Sequence, residues 1–167
     1  EPNSGKLLVD GIDIFNKKNF QFLLSWRSSI ANVSQSIYLS DNTIYENIAF
    51  GLNLKDINTD LVKECARQAN IAEHIEKYPL NYRTIIGERG IKLSGGQRQR
   101  LGIARALYHK KNILFLDEAT SALDTKTESK IMKTINQLDE KITIVMIAHR
   151  LSTLDNFDRI IKVENGK

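Results

Sequence analysis

Residues 113–124 read ILFLDEATSALD, and this stretch decides the fold class. It begins with four apolar residues, Ile113 to Leu116, a run typical of a strand buried on both faces of a parallel sheet. The strand leads directly into Asp117 and Glu118, at the carboxyl edge where parallel sheets bind their ligands. One carboxylate there can hold a magnesium ion while its neighbour orients a water molecule against a phosphate. Taken alone the pair is weakly informative, because many strands end in polar loop residues.

The sequence around this stretch alternates between helix and strand patterns. LSGGQRQRLGIARALYH at 93–109 predicts a helix, TKTESKIMKTINQL at 125–138 predicts an amphipathic helix, and ITIVMIAH at 142–149 predicts a second buried strand. Successive apolar strands joined through helices predict a parallel sheet with right-handed crossovers. The C-terminal DRIIKVENGK, residues 158–167, predicts one more strand that runs into an Asn-Gly hairpin turn.

The N-terminus raises the question of a phosphate-binding loop. Residues 1–11 read EPNSGKLLVDG, and Ser4 to Lys6 resemble the end of the pattern G-x-x-x-x-G-K-[S/T]. Leu7 stands where that pattern needs a hydroxyl, and the residues that follow predict a short strand and a turn instead of a helix. We therefore interpret this segment as a turn leading into a strand. A further short strand is predicted at 28–34.

The middle of the chain carries helical patterns. Thr43 and Glu46 have the spacing of a capping box that opens a short helix. A stronger helix begins at Asn58 or Thr59, because the apolar residues after it fall on one side at helical spacing. Those residues are Leu61, Val62, Cys65, Ala66 and Ala69. A third short helix is predicted at about 71–77, before Pro79.

A second informative stretch, LSGGQ at 93–97, combines a helix start with two glycines. Ser94 and Gln97 have the spacing of a capping box. A cap alone does not need both Gly95 and Gly96, each of which lowers helix stability, whereas close approach of a phosphate to backbone N–H groups does. We therefore predict an anion-binding site at this helix N-terminus.

Two polar residues follow predicted strands and become candidates only in context. His149 ends the second buried strand, where its imidazole can hydrogen-bond a terminal phosphate or an attacking water. Gln35 follows the strand predicted at 28–34. Neither residue is informative by itself, since a lone histidine after a strand is more often structural.

Composition narrows the function classes. The chain has 167 residues, of which 41% are hydrophobic and 26% charged, which suits one soluble globular domain. No apolar run approaches the roughly 18 residues that a membrane span needs. The net charge of +4 comes from scattered lysines and arginines, so no nucleic-acid interface is expected. The single cysteine, Cys65, cannot form an internal disulfide and is expected to be buried.

Together these motifs resemble the nucleotide-binding domain of ATP-binding cassette (ABC) transporters. The matches in family order are Gln35 as the Q-loop, LSGGQ at 93–97 as the signature, ILFLDE at 113–118 as Walker B, SALD at 121–124 as the D-loop, and His149 as the H-loop. TIIGERG at 84–90 resembles the X-loop of exporter-type members. The resemblance covers essentially the whole chain.

The resemblance implies an α/β fold with a P-loop NTPase-like (RecA-like) parallel sheet core and an inserted α-helical subdomain. Core strands and the Q-loop entry would occupy about 1–34, the helical subdomain about 36–100, and the α/β core with Walker B, D-loop and H-loop about 101–167. On this interpretation the domain is incomplete at both ends.

The resemblance also implies catalytic roles in the hydrolysis of ATP with Mg²⁺ as cofactor. Asp117 and Gln35 would contact the metal. Glu118 would act as catalytic base or orient the attacking water. His149 would contact the γ-phosphate.

The remaining motif residues would act across a dimer. Ser94, Gly95, Gly96 and Gln97 would bind ATP held by the opposite subunit. Asp124 would couple the two sites at the dimer seam. The implied partners are a transmembrane domain and a second nucleotide-binding domain in a head-to-tail dimer, with no nucleic acid. The implied location is the cytoplasmic face of the cell membrane, in an exporter or flippase.

Two departures from the family pattern matter. The Walker A loop and the aromatic residue that stacks on adenine would lie upstream of KLLVDG, and neither is present; Ser34 replaces the usual proline before Gln35. We therefore expect the 167-residue chain alone to be inactive. Two alternatives stay open: a catalytically inactive domain that pairs with a complete one, and a soluble ABC ATPase that works on nucleic acid or ribosomes.

Overall fold

The alternation of helices and strands predicted from the sequence is present in the computed structural model. The structure describes residues 2, 4–138, 141–148, 154 and 157–163. Its strands and helices are β1 (Leu8–Val9), β2 (Ile12–Asp13), α1 (Phe20–Ser28), β3 (Ile30–Val33), α2 (Ile44–Ile48), α3 (Thr59–Gln68), α4 (Ala72–Ile75), α5 (Gly95–Tyr108), β4 (Ile113–Asp117), α6 (Thr125–Asn136) and β5 (Thr143–Ile147). Short 3₁₀ turns lie at Lys17–Asn19, Leu54–Asp56, Asn81–Arg83 and Glu88–Gly90.

The central sheet is parallel, as predicted, with the strand order β3-β4-β5. Val33 lies opposite Leu116, and Asp117 lies opposite Ile147. The carboxyl ends of β3 and β4 therefore meet at one edge, and the residues after each strand are neighbours. The domain limits proposed from the sequence stay a prediction.

Burial explains why this sheet forms. Leu114 and Leu116 are almost fully buried in the main core, and helix α5 packs against β3. On β5 the alternate residues Val145 and Ile147 are 41% and 56% exposed. Within the described residues, β4 and β5 thus bury only some of their apolar side chains.

The helices of the middle segment start where capping residues predict. Both hydrogen bonds of the Thr43–Glu46 capping box are present at α2. Asn58 caps α3 by accepting from the backbone N–H of Leu61 at 3.0 Å. Burial raises the pKa of the Cys65 thiol to about 11, so this side chain acts as a small apolar group. Helix α4 is shorter than predicted.

The N-terminal hairpin confirms that Ser4 to Lys6 do not open a helix. Strands β1 and β2 pair antiparallel around Asp10 and Gly11, whose φ angles of 50° and 78° are typical of a tight hairpin turn. A strand and a turn thus follow, as the sequence indicates.

Two features differ from the predictions. Helix α1 was not predicted from the sequence, because its apolar residues do not lie on one face of the helix. The strand predicted at 158–167 is wrong for its described part, since 157–163 form no strand. Ile160, Ile161 and Val163 are exposed there, because no strand in the described part of the chain pairs with them. Residues 164–167 lie outside the described residues.

None of the helices in the described part of the chain combines the length and the apolar character that a membrane span requires.

Helix α5 approaches the segment after β3 at a glycine. A Cβ on Gly102 would lie 2.7 Å from Cδ1 of Ile37, and 3.1 and 3.2 Å from two further atoms of the same side chain. These distances are shorter than ordinary van der Waals contact. Gly102 thus lets Ile37, two residues after Gln35, pack directly on the helix.

We predict that Gly102→Ala lowers the free energy of unfolding by about 1–3 kcal/mol, because the new methyl group displaces Ile37. In an Ile37→Ala background the same change should be neutral or stabilising, since alanine favours a helix over glycine by about 1 kcal/mol. Urea denaturation of the four proteins measures this coupling. Equal effects of Gly102→Ala in both backgrounds would contradict the packing argument.

Candidate functional site

The structure brings Gln35 and Glu118 together, although 83 positions separate them in sequence. Nε2 of Gln35 donates a hydrogen bond to Oε2 of Glu118 at 2.8 Å. An ionised carboxylate can only accept hydrogen bonds, so Gln35 presents its NH₂ group to Glu118. The amide oxygen of Gln35 is therefore the atom that remains for a cation or a water.

The backbone of Glu118 adopts an uncommon conformation. Its φ angle is +47°, in the left-handed region, which costs a non-glycine residue roughly 1–2 kcal/mol. Three hydrogen bonds hold it there. The Glu118 N–H donates to the carbonyl of Ile147 at 3.1 Å, and its carbonyl accepts from the N–H of Ser121 at 3.0 Å and from Nε2 of Gln99 at 3.3 Å. Strand β5, the following loop and helix α5 thus fix the direction of this carboxylate.

Gln99 is a site residue that the sequence analysis missed. Its side chain is 5% exposed and lies between α5 and the loop after β4. Nε2 also donates to Oγ of Ser121 at 3.1 Å, and Oε1 accepts from the N–H of Ala122 at 3.0 Å. The sequence pattern of α5 could have identified this residue. The buried face of the helix includes Gln99, Ile103 and Ala106 at helical spacing, and only the first of them is polar. A polar residue on a buried helix face indicates a side chain with specific hydrogen bonds.

The residues at this edge suit a magnesium ion that arrives with phosphates. Asp117 ends β4, directly before Glu118 and its hydrogen bond to Gln35. Among the described residues no group of three or more His, Cys, Asp or Glu side chains forms a metal site. Mg²⁺ commonly uses one or two carboxylates together with substrate phosphates instead of an all-protein cage. The Asp117 carboxylate and the Gln35 amide oxygen fit that donor set.

The signature segment forms a second cluster. The backbone N–H of Ser94 donates to Oε1 of Gln97 at 2.7 Å, and the N–H of Gln97 lies 3.3 Å from Oγ of Ser94. This confirms the predicted capping box at the start of α5. Ser94 and Gln97 bond to each other, and the contact from α5 to Glu118 runs through Gln99.

The two signature glycines differ in their surroundings. A Cβ on Gly95 would meet Ala122 at an ordinary 3.6 Å. A Cβ on Gly96 would lie 3.0 Å from the carbonyl oxygen of Ala122 and 3.3 Å from Cδ2 of Leu123. Packing against the loop therefore accounts for Gly96 without a ligand. Packing does not account for Gly95. The close approach of a phosphate to the backbone N–H groups, predicted from the sequence, would account for a glycine at this position.

Two predicted site residues remain. Asp124 caps α6 by accepting from the N–H of Thr127 at 3.0 Å. Hydrogen bonds from the Thr127 hydroxyl and backbone hold the pKa of Asp124 below its ordinary value. Asp124 thus has a local structural role, and its place at a dimer seam stays a prediction. His149 lies outside the described residues.

A groove of about 790 Å³ opens beside the residues that follow Gln35. Tyr38 and Ile91 are 64% and 81% exposed, respectively. The groove is lined by Ser36, Ile37, Tyr38, Glu88, Arg89, Ile91 and Arg98. It therefore joins the segment after Gln35 to the end of TIIGERG and to α5.

Arg105 connects α5 to the same segment. Its guanidinium donates to the carbonyl oxygens of Tyr38 and Asn47, each at 2.8 Å, and lies 4.8 Å from the ring centre of Phe50. Burial lowers its pKa from the ordinary value. Carbonyl dipoles and an aromatic face thus stabilise the charge in a desolvated position.

Comparisons with known proteins agree with this geometry. The family model described as ABC transporter matches residues 1–121. The chain belongs to the ABC transporter family. The match spans more than half of the chain and includes β3, β4, the signature helix and Glu118.

Individual relatives share the same regions. The ATP-dependent lipid A-core flippase of Chromobacterium violaceum is 45% identical over 167 residues, which is 100% of this chain and 28% of the flippase. ATP-binding cassette sub-family B member 5 of Mus musculus is 45% identical over 99% of this chain, which is 13% of the mouse protein. The chain thus spans less than a third of either relative.

A solved structure shows the same fold. The structure of a bacterial Atm1-family ABC exporter with ATP bound matches with a TM-score of 0.82 and 41% identity, over 92% of this chain and 26% of that one. Together with the parallel sheet, this confirms the predicted ABC ATPase fold, a form of the P-loop NTPase fold. A flippase thus matches the whole chain, and an ABC exporter of known structure matches 92% of it.

We predict that Gln99→Leu lowers the free energy of unfolding by about 1–3 kcal/mol, because it leaves the N–H of Ala122 without its hydrogen-bond partner. Amide hydrogen exchange should show faster exchange at Ala122. The exposed Gln21 in α1 provides a matched control, and Gln21→Leu should leave both quantities unchanged. Unchanged protection of the Ala122 amide in Gln99→Leu would show that Gln99 does not hold the loop after β4.

Proposed function

We propose that this chain forms the hydrolytic and signature parts of an ATPase domain that drives an ABC exporter or flippase. The observation that carries the proposal is the hydrogen bond between Gln35 and Glu118 at the carboxyl edge of the sheet, next to Asp117. A carboxylate fixed in direction beside a metal-binding donor set suits the positioning of water for phosphoryl transfer.

Each residue at this edge has a separate task in the proposed reaction. Bound MgATP supplies the γ-phosphate and a cation that neutralises its charge. Asp117 and the amide oxygen of Gln35 hold that cation. Glu118 accepts a hydrogen bond from the attacking water and takes its proton, and the fixed backbone directs its carboxylate. His149 hydrogen-bonds the γ-phosphate.

The signature cluster is proposed to act on ATP held by a second copy of the domain. Ser94 is exposed at the N-terminus of the 14-residue helix α5, which is the positive end of the helix dipole, and Gly95 adds no side chain there. Two half-sites that close only around ATP make dimerisation depend on the nucleotide. Gln97 and Gly96 support this surface, and Asp124 lies at the seam of the head-to-tail dimer.

The groove beside Tyr38 and Ile91 is proposed to receive a segment of a transmembrane domain, fused or separate. The exposed apolar side chains suit burial by a partner, and the groove begins directly after Gln35. Movement of that partner would thus reach Gln35 and its bond to Glu118. The domain would lie at the cytoplasmic face of the membrane, and no nucleic-acid partner is proposed.

Cysteine labelling tests this docking site. In membrane vesicles that expose the cytoplasmic face, Ile91→Cys in the full-length protein should react several-fold more slowly with a bulky maleimide than in the 167-residue chain. Leu80 is 64% exposed and does not line the groove, so Leu80→Cys is the matched control and should react alike in both. Equal rates for Ile91→Cys in both proteins would contradict docking.

Hydrolysis measurements test the catalytic assignment. The 167-residue sequence contains no G-x-x-x-x-G-K-[S/T] pattern, so we expect negligible turnover from this chain and clear turnover from the protein extended upstream through such a loop. In the extended protein, Glu118→Gln should lower turnover by about 100-fold or more while ATP binding is retained.

Glu76→Gln, at an exposed glutamate outside the site, should leave turnover unchanged. Turnover within twofold of wild type for Glu118→Gln would remove Glu118 from its role. Robust hydrolysis by the 167-residue chain would show that this chain binds the phosphates without such a loop.

A further inference from the structure

His74 in helix α4 contacts the signature cluster from outside the motif. Its Nδ1 lies 3.3 Å from Nε2 of Gln97, and its Nε2 lies 3.0 Å from the hydroxyl of Tyr78. The two rings also meet edge to face, with centroids 5.2 Å apart. The imidazole is therefore held at two nitrogens and by one aromatic contact.

The capping box fixes the direction of these hydrogen bonds. The N–H of Ser94 donates to Oε1 of Gln97, so Nε2 of Gln97 is the donor toward His74. Nδ1 of His74 must then accept, and the proton of the neutral ring lies on Nε2. That N–H donates to the Tyr78 hydroxyl, which points to the carbonyl of Lys92 at 3.5 Å. The chain of bonds requires a neutral His74.

The charged groups around His74 favour that neutral form. Burial, Arg100 from α5 and Lys77 after α4 lower the pKa of His74 from its ordinary value of 6.5, in that order of importance. Arg100 is itself held close by its bond to the carbonyl of Asn70 at 2.9 Å. At neutral pH the ring can thus accept from Gln97, and acidification through the lowered pKa removes the acceptor.

We propose that His74 is a positioning residue for the signature motif: its Nδ1 holds Gln97 in the rotamer that completes the cap on Ser94. The proposal rests on the proposed function only in its last step, from the geometry of Ser94 to the binding of ATP. A protonated ring would place an N–H opposite the NH₂ group of Gln97. Gln97 must then turn, and the N–H of Ser94 loses its partner.

Two variants, compared with wild type, separate the contributions of the ring. His74→Asn keeps an acceptor near the position of Nδ1 and cannot titrate. His74→Phe keeps the ring and its edge contact with Tyr78 and has no acceptor. Wild type should behave like the asparagine variant at neutral pH and like the phenylalanine variant in acid.

Nuclear magnetic resonance of the ¹⁵N-labelled 167-residue chain tests the positioning directly. On acidification, the side-chain NH₂ signal of Gln97 and the backbone signal of Ser94 should shift with the midpoint of His74, and these shifts should vanish in His74→Asn. The N–H of Leu61, at the cap that the non-titratable Asn58 forms on α3, is the internal control and should not follow that midpoint. If the signals of Gln97 and Ser94 do not shift while His74 titrates, the proposal is overturned.

Hydrolysis by the full-length protein tests the functional step. His74→Phe should raise KM for MgATP about fivefold at neutral pH, the factor that corresponds to one lost neutral hydrogen bond, with little change in kcat. Wild type should show the same rise only in acid, and His74→Asn should show it at neither pH. Identical KM values and pH profiles for wild type and His74→Phe would overturn the proposal. If the signals of Gln97 and Ser94 follow His74 in the 167-residue chain but the full-length protein never hydrolyses ATP, the proposed function is overturned and the positioning role of His74 stands.

Discussion

The parallel register of β3 and β4 is the constraint on which the site depends. It places Val33 opposite Leu116, so the chain leaves both strands at the same edge and Gln35 arrives within 2.8 Å of Glu118. A shift of this register would separate the amide from the carboxylate, because successive residues of a strand rise by about 3.3 Å. The buried Leu114 and Leu116 hold the register, which joins the packing of the core to the chemistry of its edge.

Helix α5 connects this edge to the other functional surfaces. Gln99 reaches the carbonyl of Glu118 and the following loop, Gly102 admits Ile37, and Arg105 holds the carbonyl of Tyr38. At its N-terminus the same helix carries Ser94 as its cap. The same helix therefore contacts the carboxyl edge of the sheet and the segment that lines the groove, and it begins at the capping box of Ser94.

The sequence predicted those parts of the fold that depend on local pattern. Strand β4, its terminal acids and the caps at Thr43 and Ser94 each leave a signal within a few residues. Helix α1 left no such signal, because its apolar residues do not lie on one face of the helix. The segment predicted as a strand at 158–167 has an apolar pattern, but within the described part of the chain no strand pairs with it.

Long-range contacts account for what the sequence could not show. Gln99 acts through a loop more than 20 positions away, and His74 meets Gln97 across 23 positions. The packing of Gly96 could not be predicted for the same reason, since its close neighbour Ala122 belongs to a different part of the chain, and its contact with ATP stays a prediction. Residue spacing alone carries no information on such pairs, whereas the residue type at a buried helical position does.

The structure of the full-length Glu118→Gln protein with MgATP bound tests the central claim most directly. We predict that the metal contacts Asp117 and the amide oxygen of Gln35, that the γ-phosphate lies beside residue 118, and that Ser94 of a second copy approaches the same phosphate. Phosphates bound away from the carboxyl edge of β3 and β4, or a metal with neither Asp117 nor Gln35 as a ligand, would contradict it.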